Sequence, residues 1–132
     1  MENRTSPSEE QALRVVEEFV ATSTLPDVEA HAQTFNFPHV RIAGGTVTVW
    51  QNLTEWRQTY PAYVASIVES ERAYVVVDRT DVIQSSDSKV HIAAQFTRYD
   101  RTHTKLATYQ TLYVVTCVEG HWGIQARSSF AP

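Results

Sequence analysis

Cysteine is almost missing from this 132-residue chain: Cys117 stands alone, so neither an internal disulfide nor a thiolate metal site is expected. A basic excess is missing too. Lys and Arg number 11 against 15 Asp and Glu, for a formal charge of −4. The acid excess lies entirely in residues 1–66, with four basic and eight acidic side chains against seven and seven beyond. That leaves no stripe of cations to neutralise phosphates, and nucleic acid is not an expected partner. Long apolar runs are also lacking. The longest, Leu112 to Val118, already contains Thr116 and falls well short of the roughly 18 residues a membrane span needs. Residues Met1 to Ser6 hold no apolar stretch followed by small residues, so no secretory leader is read and the cytoplasm is the expected compartment. What the chain does have is 42% hydrophobic and 11% aromatic residues. That composition excludes disorder and supports one domain over residues 1–132 with a core of its own.

The helix signals come first. Ser6-Pro7-Ser8-Glu9 supplies a serine cap, a proline in the first turn and a glutamate able to reach back, which starts a helix. Ala12, Leu13, Val15, Val16, Phe19 and Val20 then fall mainly on one face of it. Beyond a break at Leu25-Pro26, a short helix is expected over about 27–34, with Pro38 barring its continuation. The period changes to two at His39. Residues 39–42 and 46–50 flank Gly44-Gly45 as a hairpin. Asn52 and Glu55 form a second capping box opening a third helix, whose Trp56, Tyr60, Tyr63 and Ile67 make a buried stripe. Residues 74–84, 90–99, 106–118 and 121–130 read as four long strands joined by polar turns.

The expected class is therefore α+β: three helices packed against a strongly curved antiparallel sheet. This order, together with Phe35-Asn36-Phe37-Pro38-His39-Val40-Arg41-Ile42 and the Tyr113-Val114-Val115-Thr116 and Glu119-Gly120-His121-Trp122-Gly123-Ile124 segments, resembles the NTF2-like superfamily. That is the cone fold of SnoaL-like cyclases, ketosteroid isomerases and limonene-epoxide hydrolases, a scaffold reused for many chemistries and for plain binding.

A two-residue turn at Glu119-Gly120 sets Val118 opposite His121 and divides the last hairpin into two faces. One is apolar, with Tyr109, Tyr113, Val115, Trp122 and Ile124, joined from the preceding strand by Phe96. The other is mixed, with Gln110, Leu112, Gln125 and Arg127, joined by His91 and Gln95. Composition alone sends the mixed face to solvent. The resemblance implies the reverse: the mixed face lines the cone, and the apolar face is covered by a second copy of the chain in a homodimer.

The resemblance also identifies what is missing. The position of a catalytic tyrosine carries Phe19, that of a carboxylate base falls in Arg41 to Ala43, and that of an acidic donor falls at Leu112 or Val114. His91 and His39 remain as candidate acid–base groups, the first set against a satisfied strand histidine and the second against an edge-strand position exposed to water. Arg127 is the most informative residue. Aimed into a cone, it needs a counter-charge, supplied by a bound anion or by a helix acid such as Glu29 or Glu55, unless it sits at the mouth and reaches solvent. Gln95, Gln110 and Gln125 offer donors and acceptors but no proton transfer near neutral pH. Arg41 would clamp rather than abstract. Trp56 and Tyr60 read first as helix core and second as a wall of the cavity. No histidine or acid spacing suggests a metal and no motif a cofactor. The expectation is a homodimeric small-molecule binder, ahead of a SnoaL-like isomerase, cyclase or hydrolase.

Overall fold

The computed structural model describes residues 5–24 and 27–132; the Leu25-Pro26 break and residues 1–4 lie outside them. Helix α1 spans Pro7–Thr22, and both halves of its capping box form between Ser6 and Glu9. Helix α2 is short, Val28–Ala32, capped by Asp27. Strands β1 (Phe35–Ala43) and β2 (Thr46–Trp50) form the first hairpin across Gly44-Gly45, both at positive φ. Helix α3, Leu53–Glu69, continues through Pro61. Then come β3 (Tyr74–Ser85), β4 (Lys89–Tyr99), β5 (Lys105–Val118) and β6 (His121–Ser129).

The six strands form one sheet in the order β2-β1-β6-β5-β4-β3. It is not wholly antiparallel, because β1 runs parallel to β6. Strand β1 also begins at Phe35, four residues ahead of the expected His39, and runs through Pro38. The turn at Glu119-Gly120 forms as read, with Val118 opposite His121 and both turn residues at positive φ.

The face assignment is where the structure departs from expectation. Pairing keeps the expected register from Val118↔His121 to Val115↔Ile124, then shifts by one so that Val114 faces Ala126 and Tyr113 faces Arg127. Gln125 is the extra residue of this β-bulge, and a bulge reverses the side on which later residues point. Arg127 and Ser129 thereby join Tyr113, Val115 and Ile124 on the face toward α1 and α3.

That apolar face is the core. Val90, Ile92, Tyr113, Val115 and Ile124 are at most 1% exposed and cluster with Ala12, Val16, Phe19 and Trp56 of the helices. It cannot be the surface a second copy covers, because α1 and α3 already cover it. The mixed face, apart from Arg127, looks outward: Gln95, Gln110 and Leu112 line a shallow outer depression with Arg79, Asp81 and Phe130. Among the described residues no helix is long and apolar enough to cross a membrane.

Candidate functional site

Between α3 and the inner face of the sheet lies a cavity of about 620 Å³. Its floor is aromatic. Phe19 from α1, Phe35 from β1, Trp56, Tyr60 and Tyr63 from α3, and Tyr113 from β5 all line it. The helical spacing that buries Trp56 also turns Tyr60 and Tyr63 toward the cavity, so the stripe serves as both core and wall. Its rim carries exposed hydroxyl residues of α3, Thr59 and Ser66, and the carboxylate of Glu69.

Four arginines line the same space: Arg41, Arg72, Arg98 and Arg127. Arg127 is held with the most definition. Its Nε–H donates to His39 Nε2 at 3.1 Å. His39 Nδ1 lies 2.7 Å from the Ile124 carbonyl, and since a carbonyl only accepts, that nitrogen carries the proton and Nε2 is the acceptor. Both ring nitrogens of His39 are thus spent on orienting the guanidinium. The guanidinium carbon sits 5.1 Å from the Phe19 ring centre and 5.9 Å from that of Phe35, within reach of their π faces. What surface Arg127 keeps opens into the cavity.

Electrostatics follow from this enclosure. Burial, then repulsion from Arg41, lowers the Arg127 pKa to about 10, so it stays charged at neutral pH. Arg41, its Cα partner across β1 and β6, donates to the Ala131 carbonyl at 3.1 Å, and burial lowers its pKa as well. Burial and the Arg127 charge push His39 and His31 down to about 3, so both are neutral. His31 stacks on Phe19 and Tyr63 and bonds Thr22 through Nδ1 at 2.8 Å. Burial raises the Tyr113 hydroxyl to about 12, which keeps it a donor. Among the described residues, no carboxylate pairs with any of the four arginines; the ion pair there is Arg57 with Glu29, on the surface.

The sequence-derived candidates therefore separate. Arg127, Arg41, Trp56 and Tyr60 meet in the cavity, and His39 stands behind Arg127. Gln95, Gln110 and Leu112 lie on the other side of the sheet. Gln125, in the bulge, accepts from Thr116, whose oxygens also receive Asn36. His91 is on the outer face too, bonded to Gln84 at 2.8 Å. The expectation that these outer residues line the cone is overturned, because inward-pointing positions went to the larger apolar side chains. Arg98, His31, Tyr63 and Tyr113 were not singled out as cavity residues. A consistent signal for Arg98 and Tyr113 existed in the apolar face itself, to which both belong.

The architecture, helices laid over a curved six-stranded sheet around an aromatic cone, is an NTF2-like, cystatin-like fold. The structure is similar to many solved ones, among them the three that follow. A Nostoc punctiforme PCC 73102 protein of unknown function with a cystatin-like fold matches with a TM-score of 0.75 at 14% identity, over 97% of this chain and 94% of that one. An NTF2-like protein of unknown function from Shewanella oneidensis MR-1 matches at 0.72 and 13%, over 92% and 97%. A ketosteroid isomerase-like protein from Erwinia carotovora atroseptica SCRI1043 matches at 0.69 and 17%, over 97% and 100%. At these identities the likeness is one of fold. No protein-family model matches the sequence, and no curated protein does.

Proposed function

We propose that this protein binds a small anionic molecule with an apolar body in the cone, and that Arg127 anchors the anion. One observation carries the reading: an arginine enclosed among aromatic rings whose one hydrogen-bonding partner among the described residues is a neutral imidazole. A desolvated charge left so costs several kcal/mol. A carboxylate accepting two of its free N–H groups would offset that cost. The aromatic walls supply the remaining affinity by burying the ligand's apolar surface. Acid–base catalysis finds less support, since His91 is outside the cone and both nitrogens of His39 are engaged.

Thermal-shift titration with 2-naphthoate and its methyl ester tests this. The acid, at 100 times its dissociation constant, should add roughly 2.7 kcal/mol to stability. The ester should add little, and Arg127→Gln, which can still donate to His39, should lose the gain from the acid. Equal stabilisation by acid and ester would sink the reading.

The expected homodimer, cytoplasmic in our reading, is proposed on the outer sheet face instead of the apolar one. Leu112, Val76, Val118 and Phe130 are exposed there, Phe130 to 77%. Sedimentation equilibrium at micromolar concentration should show twice 14.9 kDa, and Phe130→Glu with Leu112→Glu should return the monomer. A monomer in the unsubstituted protein would refute it.

A further inference from the structure

The cavity has a second cationic pole that one anionic head group does not use. Arg98 sits on β4 opposite Ala107 of β5, while Arg127 sits on β6 opposite Tyr113 of the same strand. Those two positions on β5 are separated by on the order of 20 Å at the usual rise of a strand, yet both arginines line one cavity. The Arg98 guanidinium carbon lies 4.9 Å from the Tyr109 ring centre and 5.8 Å from that of Phe96. That of Arg72 lies 5.7 Å from the ring centre of Tyr63. Neither arginine makes a hydrogen bond from its guanidinium or an ion pair among the described residues.

Each pole is thus a pair of like charges without a counter-ion: Arg127 with Arg41, and Arg98 with Arg72. Repulsion is visible within both pairs, since Arg41 lowers the pKa of Arg127 and Arg72 that of Arg98, and it also runs between them, since Arg41 lowers that of Arg98, in each case after burial. Like charges facing each other in a partly desolvated site favour an anion between them. Glu69 at the rim is the one side-chain carboxylate in the cavity lining among the described residues, against four guanidinium groups. A single head group on Arg127 would leave the outer pair unbalanced, and the wall between the poles is aromatic.

Resting on the anion-binding reading above, we propose that the preferred ligand is an elongated dianion, an apolar or aromatic spine with an acidic group at each end. One end is taken by Arg127 and Arg41, the other by Arg98 and Arg72. Arg98 selects for the second charge.

The test uses two probes of equal length that differ by one charge, 4,4′-biphenyldicarboxylate and its monomethyl ester, measured by calorimetry at fixed ionic strength. The dianion should bind at least tenfold tighter. Arg98→Gln should bring that ratio to within about twofold, with the larger loss on the dianion, and Arg98→Lys should keep most of the preference. Circular dichroism and melting of each variant establish that it is folded. Equal affinities in the unsubstituted protein, with both probes weakened by Arg127→Gln, overturn the dianion and leave the anion reading standing. A preference that survives Arg98→Gln overturns the role of Arg98. Binding of neither probe, or binding indifferent to Arg127→Gln, overturns both readings together.

Discussion

Taken from pH 7 to pH 5, the protein is expected to lose about 4 kcal/mol of folding stability, roughly 2 from each of two buried histidines. In the fold, His31 and His39 titrate near 3 because burial and the Arg127 charge disfavour the imidazolium. In the unfolded chain they titrate near the ordinary 6.5. A folded pKa below the unfolded one means that the folded state holds fewer protons throughout the interval between them. Stability is then whole above about 6.5 and drains away as pH falls toward 3. Stopping at pH 5 separates this effect from that of carboxylates. Glu9 and Asp100, both lowered chiefly by side-chain hydrogen bonds from Ser85 and Thr102, stay largely ionised there in both states. Urea unfolding at the two pH values checks the prediction. His31→Phe should halve the difference, since phenylalanine keeps the stacking on Phe19 and Tyr63 and has nothing to protonate. Equal stability at pH 7 and pH 5 would mean that the histidines are not desolvated as described.

The same two histidines show where sequence reading stopped. Helix starts were legible because capping is local: Ser6 with Glu9 and Asn52 with Glu55 need four residues of sequence, although the Glu55 carboxylate accepts from the Gln51 N–H instead of closing the second box on Asn52. The last hairpin was legible because Glu119-Gly120 can supply two positive φ values in a row. What lay beyond it was not. The bulge at Gln125 inserts one residue with no turn-forming signature, and everything after it changes side. Arg127 therefore reached the cavity by a route that a strict alternation sends outward, while Gln95 and Gln110 stayed outside. The composition of the apolar face was the sounder guide to which side is covered, because burying Tyr113, Val115 and Ile124 outweighs any preference the fold's relatives imply for polar side chains. His31 is a buried residue of α2. Its place in the cavity wall depends on Tyr63 of α3 and Phe35 of β1, which only the tertiary fold brings beside it.

Gly123→Ala should be the most damaging single-methyl addition at any glycine of the chain, costing about 3 kcal/mol or more. A Cβ at position 123 would stand 2.7 Å from the Phe35 carbonyl carbon, 2.8 Å from the Asn36 backbone nitrogen and 2.9 Å from Asn36 Cγ. Two of those atoms are main chain, so rotating a side chain cannot relieve the clash. Strand β1 would have to move off β6. Asn36 resists that move, since its Nδ2 donates to the Thr116 carbonyl at 2.9 Å and to the His121 carbonyl at 3.1 Å, while its Oδ1 meets His121 Nδ1 at 2.7 Å. Losing two or three such bonds, at about 1 kcal/mol each, adds to the packing cost. Movement of β1 would also displace Phe35, Arg41 and His39, so the variant should lose the fixed position of Arg127 and bind anionic probes less well. Gly120→Ala supplies the contrast. Its φ is +82° with nothing within 4 Å of a new Cβ, so it should cost only the 1–2 kcal/mol of a left-handed backbone and leave the cavity untouched. Chemical denaturation of both variants, read beside probe binding, decides the matter: equal losses at the two positions would show that close approach of β1 to β6 is not what holds Arg127 in place.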